Sequence, residues 1–436
     1  MKNINTKLFD FIKESPTQFQ AIDSIVSILK KNDFKELKET KAWKLNPGNY
    51  YVTRNNSSII AFNIPKNIKD YHFQICSSHT DSPTFKVKCE SELKGPAEYL
   101  RLNVEKYGGA IFYTWLDRPL TLAGRVYIKK DNKVVSKNIY IDEDLLIIPS
   151  LPIHFNRSVN DGVKFNCQVD LCPLFSSGEL HKGDFVKMLA KYINIKPKDI
   201  VSYDLYLVNR QLAKEVGYHK ELISSAKLDD LEAAYTSLCG FVDAKVNGCI
   251  NVYCSFDNEE VGSLTMQGAM STFLSDVLNR INNGLNKTVD EYYQAIAKSF
   301  MISFDNAHAL HPNHPEKYDE DNRCYMNKGI VIKENASQSY TTDSFSRSIF
   351  KEICAKAKVP VQSFANRSDE KGGSTLGNLS NSQVSLHTVD IGLAQLAMHS
   401  SYETAGSKDT EYAYNALKEY YSRLIQIEDT NSFIIK

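Results

Sequence analysis

In SSHTDSP, two residues apart, His79 and Asp81 set an imidazole beside a carboxylate just where the apolar run Tyr71–Cys76 gives out. A histidine so placed is either a loop residue satisfied by a nearby acid or a metal ligand whose ring an acid orients. Other acids and histidines fall at comparable places. KLDDL puts Asp229 at the entry of a helical pattern, and FDNEEVG puts Glu259 and Glu260 just past a strand-like run. SFDNAHALHPNH puts Asp305 past another such run, and QLAMHSS puts His399 a few residues beyond a fourth. Taken singly, each acid is more simply a helix cap or a solvated charge. Taken together, His79, Asp229, Glu260, Asp305 and His399 are two imidazoles and three carboxylates, a mixture that suits zinc with about three protein ligands per catalytic ion. If one aspartate bridges, five residues hold two ions, and ions about 3.5–4 Å apart can share a hydroxide and clamp a tetrahedral intermediate. Neighbouring residues past a strand end point in different directions, so one of Glu259 and Glu260 can bind metal while the other reaches the bridging water.

These side chains converge only if the elements beneath them bring strand ends together. LDDLEAAYTSL, EYYQAIAKSF, DSFSRSIFKEICAKAK and TEYAYNALKEYYSRLI carry helical periodicity, and they alternate with the strand-like runs CINVYCSF, FMISF and VSLHTVDIG. That alternation implies an α/β layered sheet, whose functional crevice lies outside the carboxyl ends of its strands. Near the N-terminus, ESPTQFQAIDSIVSILKK predicts a helix with Ser15 as cap, Pro16 in the first turn and Gln18 completing a capping box. Between about Phe85 and Asn209 the character changes to β-type runs such as GAIFYTWL, GRVYIKK and KNIYID, with a helix expected only at HKGDFVKMLAKYI. The shift predicts a β-rich insertion in the α/β domain, dividing the chain into residues 1–88, 89–215 and 216–436.

Composition narrows the partners. Lysine plus arginine and aspartate plus glutamate number 52 each in 436 residues, so the balance gives no reason to expect nucleic acid or an anionic membrane as partner. Apolar residues make up 42%, and no run approaches the ~20 residues of a membrane span. The N-terminus turns amphipathic at once and does not read as a secretory signal. Nine cysteines, odd in number and without a CxxC, fit reduced thiols and a cytoplasmic location better than a disulfide framework.

SSHTDSPTFKVK, TWLDRPLTLAGRV, IPSLPIHFNR, KLDDL, FDNEEVGS, SFDNAHALHPN, NKGIVIK, GGSTLG and QLAMHS stand in the order seen in the M18 family of metallo-aminopeptidases, the aspartyl aminopeptidase family, which the chain resembles over nearly its whole length. The resemblance implies a zinc-peptidase α/β domain of three layers, an inserted β-rich dimerisation domain, a pair of divalent ions (zinc first, cobalt or manganese as alternatives) and an assembly of twelve subunits. It implies peptide substrates with a free N-terminus, and preference for aspartate or glutamate there. It places His79 and Asp305 on one ion, Glu260 and His399 on the other, and Asp229 between them. Asp81 resembles the acid that orients His79, and Glu259 the general base. Lys333 in GIVIK is similar to a lysine that faces acidic substrate side chains. His311 resembles one that completes a neighbouring subunit's site, and His154 one that reaches the reacting carbonyl from the insertion. The chain departs from the pattern at Ser339, where a basic residue is expected, and in MHSSYE, which lacks an arginine after MHS. Both departures bear on substrate preference rather than on the metal ligands. A deacylase or carboxypeptidase with the same ion pair remains as a second reading. A non-catalytic scaffold is a third, but it would be expected to have lost Glu259 or a ligand.

Overall fold

Side-chain alternation along the strands sets the architecture. In the strand Ser58–Ile64, Ile59 and Ala61 enter one apolar core while Ile60, Phe62 and Ile64 enter another. The same split divides Cys76 from Phe73 and Ile75, and Phe300 and Ile302 from Met301. A sheet buried on both faces must be covered on both, and here helices do the covering. Ile4–Glu14, Gln18–Lys31, Leu228–Asp243, Ser344–Ala357 and Asp409–Ser422 pack on the first face. Phe273–Gly284, Val289–Ala297 and Leu376–Asn381 pack on the second. The result, in a computed structural model describing residues 3–245, 248–370 and 372–436, is the expected three-layer α/β arrangement.

The sheet has nine strands in the order Lys35–Leu37, Gly48–Arg54, Ser58–Ile64, Ile250–Phe256, Phe73–His79, Phe300–Phe304, His387–Gly392, Ile330–Glu334 and Val361–Ala365. The four from Ile250–Phe256 to His387–Gly392 are mutually parallel, so their carboxyl ends share one edge. A second sheet of six strands is drawn from Thr84 to Asn209, with a core of its own around Phe85, Leu102, Leu122 and Phe185. Positions 89 and 215, the expected limits of the insertion, fall inside the strands Thr84–Lys94 and Lys214–Val216. The latter pairs with Leu222–Ser225 in a five-stranded sheet that also holds Glu403–Gly406, Ala394–Leu396 and Ala307–His308.

Two local expectations need correction. The early helix is Gln18–Lys31 with Thr17 at its cap, two residues past the expected Ser15, and the Thr17 hydroxyl meets the Gln20 side chain instead of closing a capping box. Ser15 instead ends a preceding helix, Ile4–Glu14, its N–H bonded to the Ile12 carbonyl at 3.1 Å. Pro16, which has no N–H to offer a helix interior, therefore sits between the two helices. The run GAIFYTWL is likewise no strand. Phe112–Trp115 forms a single 3₁₀ turn, with Trp115 buried against Phe85 at a centroid distance of 5.4 Å, so local packing outweighs the β propensity of the aromatics. No helix is long and apolar enough to cross a membrane among the described residues.

Candidate metal centre

The parallel strands deliver His79, Asp305 and the Glu259–Glu260 pair, while a helix start and a loop bring Asp229 and His399. His79 is the last residue of its strand and pairs in register with Phe256. Asp305 follows Phe304, and Glu259 and Glu260 form a short 3₁₀ turn just beyond Phe256. Asp229 and Asp230 open the helix Leu228–Asp243 with non-helical backbone angles and a cis peptide between them. His399 comes from the loop between Ala394–Leu396 and Glu403–Gly406, at φ 68°.

His79 Nε2 lies 3.2 Å from Asp229 Oδ1 and 3.9 Å from Asp305 Oδ1. His399 Nε2 lies 3.7 Å from Asp229 Oδ2 and 3.3 Å from Glu260 Oε2. Each histidine turns its other nitrogen to a main-chain carbonyl, His79 Nδ1 to Asp81 at 3.1 Å and His399 Nδ1 to Gly109 at 3.2 Å. A carbonyl only accepts, so each Nδ1 carries the hydrogen and each Nε2 is the position left for a proton or a metal. Asp229 Oδ1 and Glu260 Oε1 are buried and make no hydrogen bond. Desolvated anionic oxygens without a donor are costly, and a cation among them removes the cost. His79, Asp229, Asp230 and Asp305 offer ligand atoms within 4.8 Å of one another, as do Asp229, Glu260 and His399. The donor set therefore fits divalent metal.

Electrostatics agree. Burial opposes a charge on His79, yet Asp230, Asp229 and Asp81 outweigh it and hold the imidazole well above the usual histidine range. Burial also drives Glu260 and Asp230 well above ordinary carboxylates, with Asp229 adding to both. Asp229 moves the other way despite its burial, because it faces His79 and His399. Burial pushes Glu259 up to about 8, His79 opposing and Asp305 adding.

Asp81 reaches His79 more closely through its main-chain carbonyl than through its carboxylate, which stands 3.4 Å from Nδ1. The carboxylate's close partners are elsewhere: it accepts the N–H groups of Glu259 at 3.1 Å and Glu260 at 3.2 Å, and the hydroxyl of Tyr107 at 2.7 Å. One residue thus orients His79 and fixes the turn that carries both glutamates. Lys333 is buried behind Asp305, its ammonium donating to the carbonyls of Asp305 at 2.7 Å and Asn306 at 3.3 Å. His311 and His154 are not brought into the group among the described residues. His311 accepts the Asn313 N–H at 3.2 Å and lies with its ring tilted against His314 at 5.0 Å, and His154 is exposed in a stretch without regular structure.

Three supporting residues were missed from sequence. Asp230 accepts the His79 N–H at 3.0 Å. Glu403 accepts the N–H of Asp229 at 3.0 Å and of His399 at 2.8 Å. Tyr107 comes from the six-stranded sheet and also accepts from Asn258 at 2.8 Å. Asp230 and Glu403 stand within KLDDL and MHSSYE, where a second acid beside a candidate ligand is the available signal. Tyr107 has no such signal.

A three-layer α/β fold with a buried histidine and carboxylate group at its parallel strand ends defines a metal-dependent hydrolase. Residues 11–421 match the family described as aminopeptidase I zinc metalloprotease (M18), and the chain belongs to this family of metallo-aminopeptidases. It is 45% identical over 423 residues to a probable M18 family aminopeptidase 2 of Clostridium novyi (strain NT), covering 95% of this chain and 98% of that one. It is 39% identical to aspartyl aminopeptidase 1 of Schizosaccharomyces pombe, covering 98% and 96%. Among solved structures, that of the Ape4 and Nbr1 complex superposes with a TM-score of 0.92 at 38% identity, covering 96% of this chain and 85% of that one. The dodecamer of yeast mApe1 (Saccharomyces) superposes at 0.84 with 27% identity, covering 96% of each.

Proposed function

We propose that the chain removes the N-terminal residue of unblocked peptides at a centre of two divalent ions, with zinc as the first candidate. The observation that carries this reading is the split of one carboxylate between two imidazoles: Asp229 turns Oδ1 to His79 and Oδ2 to His399. Asp229 is then the shared ligand, with His79 and Asp305 on one side and Glu260 and His399 on the other. When bound, such a pair supplies positive charge that acidifies water and polarises the scissile carbonyl. Glu259 stands in the same turn as Glu260 and shares its N–H anchor on Asp81, so it is placed to take a proton and return it to the leaving amine.

Preference for an acidic N-terminal residue is proposed from the likeness to aspartyl aminopeptidase 1. Lys333 is proposed as the lysine for such a residue from the family resemblance alone, since its buried ammonium is held by the Asp305 and Asn306 carbonyls and lies 3.9 Å from the Asp305 carboxylate. The β-rich region, residues 89–215, is proposed as an inserted dimerisation domain. Leu151, Ile153 and Phe155, the last 81% exposed, support a contact surface there. Assembly to twelve subunits is proposed from the likeness to the mApe1 dodecamer. In it, His154 and His311 would serve neighbouring sites. The free cysteines support a cytoplasmic setting.

The test is metal content measured beside activity on Glu-, Gln- and Leu-aminoacyl substrates and on an N-acetylated control. Two ions per chain, loss of activity with chelator, and no cleavage of the blocked substrate are expected. Full activity in metal-free protein would overturn the reading.

A further inference from the structure

Glu403 begins the strand Glu403–Gly406 and is 1% exposed. Its two oxygens divide between two loops: Oε2 accepts the Asp229 N–H at 3.0 Å, and Oε1 accepts the His399 N–H at 2.8 Å, with Gln395 Nε2 at 3.5 Å. Asp229 follows Lys227 and Leu228 at the mouth of a helix, whereas His399 sits in a turn whose Ala397 and His399 both take positive φ, at 56° and 68°. Left-handed backbone at a residue other than glycine is strained and persists where the surroundings hold it. The N–H of His399 is held by Glu403, and its carbonyl by the Ile111 N–H at 2.9 Å.

From this geometry we infer that Glu403 is a positioning residue that ties the shared ligand Asp229 to His399, fixing the distance between the two halves of the metal centre. The inference rests on the two-ion reading above. Its chemistry explains why an acid stands there. The Asp229 and His399 N–H groups and the Gln395 amide are all donors, so both oxygens accept. An amide of the same shape would turn its own N–H₂ against the N–H of either Asp229 or His399, and one anchor would be lost. Serving both loops needs an accepting oxygen on each side, which a carboxyl group offers and an amide does not.

The experiment uses full-length protein reconstituted with Co(II), with Glu403→Gln, Glu403→Asp and His399→Ala compared with wild type. Readouts are Co(II) affinity by competition with a chelator, the visible Co(II) spectrum, and melting temperature. Glu403→Gln should weaken the more labile Co(II) about 10–100-fold, the range for partners that orient metal ligands, and change the visible spectrum. Glu403→Asp, which keeps two accepting oxygens on a shorter stem, should recover part of that affinity. If Glu403→Gln is insoluble, Glu403→Asp alone carries the test, with an intermediate loss of affinity expected. Wild-type affinity and spectrum in whichever Glu403 variant folds would overturn the inference, whatever happens to melting temperature. His399→Ala separates the two levels: if it loses the labile ion while the Glu403 variants keep theirs, only the positioning role fails. If His399→Ala also binds two ions as wild type does, the two-ion assignment fails with it.

Discussion

The two histidines proposed as ligands stand on different ground. His79 closes a central strand, its side chain 1% exposed, with its N–H held by Asp230 and its ring by Asp81. His399 sits in a loop at positive φ, its side chain 33% exposed, with its main chain held by Glu403 and Ile111 and its ring by Gly109. One position is a product of sheet register. The other is a product of loops pinned by long-range bonds. A ligand fixed by a strand cannot move without disturbing a core, whereas a loop ligand moves when one anchor lets go. The His79 side should therefore hold its ion more tightly and exchange it more slowly.

The largest effect should come from a residue that belongs to neither side. Glu259→Gln keeps shape and cannot take a proton, so kcat should fall about 10²–10⁴-fold while metal content stays at the wild-type value. Loss of an ion in that variant would make Glu259 a ligand and erase the distinction between donors and proton carrier. The comparison itself is tested by graded chelation with metal analysis of the residual protein. One ion should leave well before the other, and His399→Ala should remove the weaker one while sparing the stronger. His79→Ala should abolish tight binding. Equal loss of both ions in wild type would show that strand and loop anchor equally well.

A smaller change should follow at the His79 side from Tyr107→Phe, which deletes the hydroxyl bonded to the Asp81 carboxylate. Hydrogen bonds to charged groups are worth about 1.5–3 kcal/mol, so metal affinity or kcat/KM should drop roughly 10–100-fold. An unaltered enzyme would mean that the two N–H bonds to Asp81 suffice.

The smallest effect concerns stability away from the centre. Burial raises Glu232 to about 8, with the Thr410 hydroxyl at 2.7 Å opposing and Asp409 adding. The folded chain keeps a proton that the unfolded chain releases above about 4.5, so stability falls as pH rises from there to about 8. Glu232→Gln removes that loss and should raise the melting temperature by roughly 2 °C at pH 8 with little change at pH 5, measured by calorimetry. An equal shift at both values would assign the effect to packing.

The candidate ligands on the central sheet were legible in sequence because each follows an apolar run whose end the sheet brings to one edge. His79, Asp305 and Glu260 need only strand order to meet. Glu403 and Asp230 stood within stretches already singled out, but nothing in an acid's identity says whether its oxygens face a metal or an N–H group. Tyr107 could not be read at all. Its bond to Asn258 spans 151 residues and depends on how one sheet leans on another. The capping box misplaced at Ser15 shows the same limit on a local scale, since the preceding segment formed its own helix and displaced the start. GAIFYTWL failed because its aromatics are spent on packing against Phe85, which a propensity argument cannot see.

The segment from Tyr107 to Thr114 runs along the centre: Tyr107 bonds to Asp81, Gly109 and Ile111 bond to His399, and Thr114 takes the N–H of Ser401 beside it at 2.9 Å. The β-rich region is therefore no cassette that could be excised or exchanged while the remaining sheet works alone. A chimera that joined the α/β layers to a different insert would keep every ligand in its sequence and still lose the ring anchor of one histidine and the tyrosine brace behind the other. Grafting would have to carry YGGAIFYT along with the new module, and any drift of that module against the sheet would be felt first at His399.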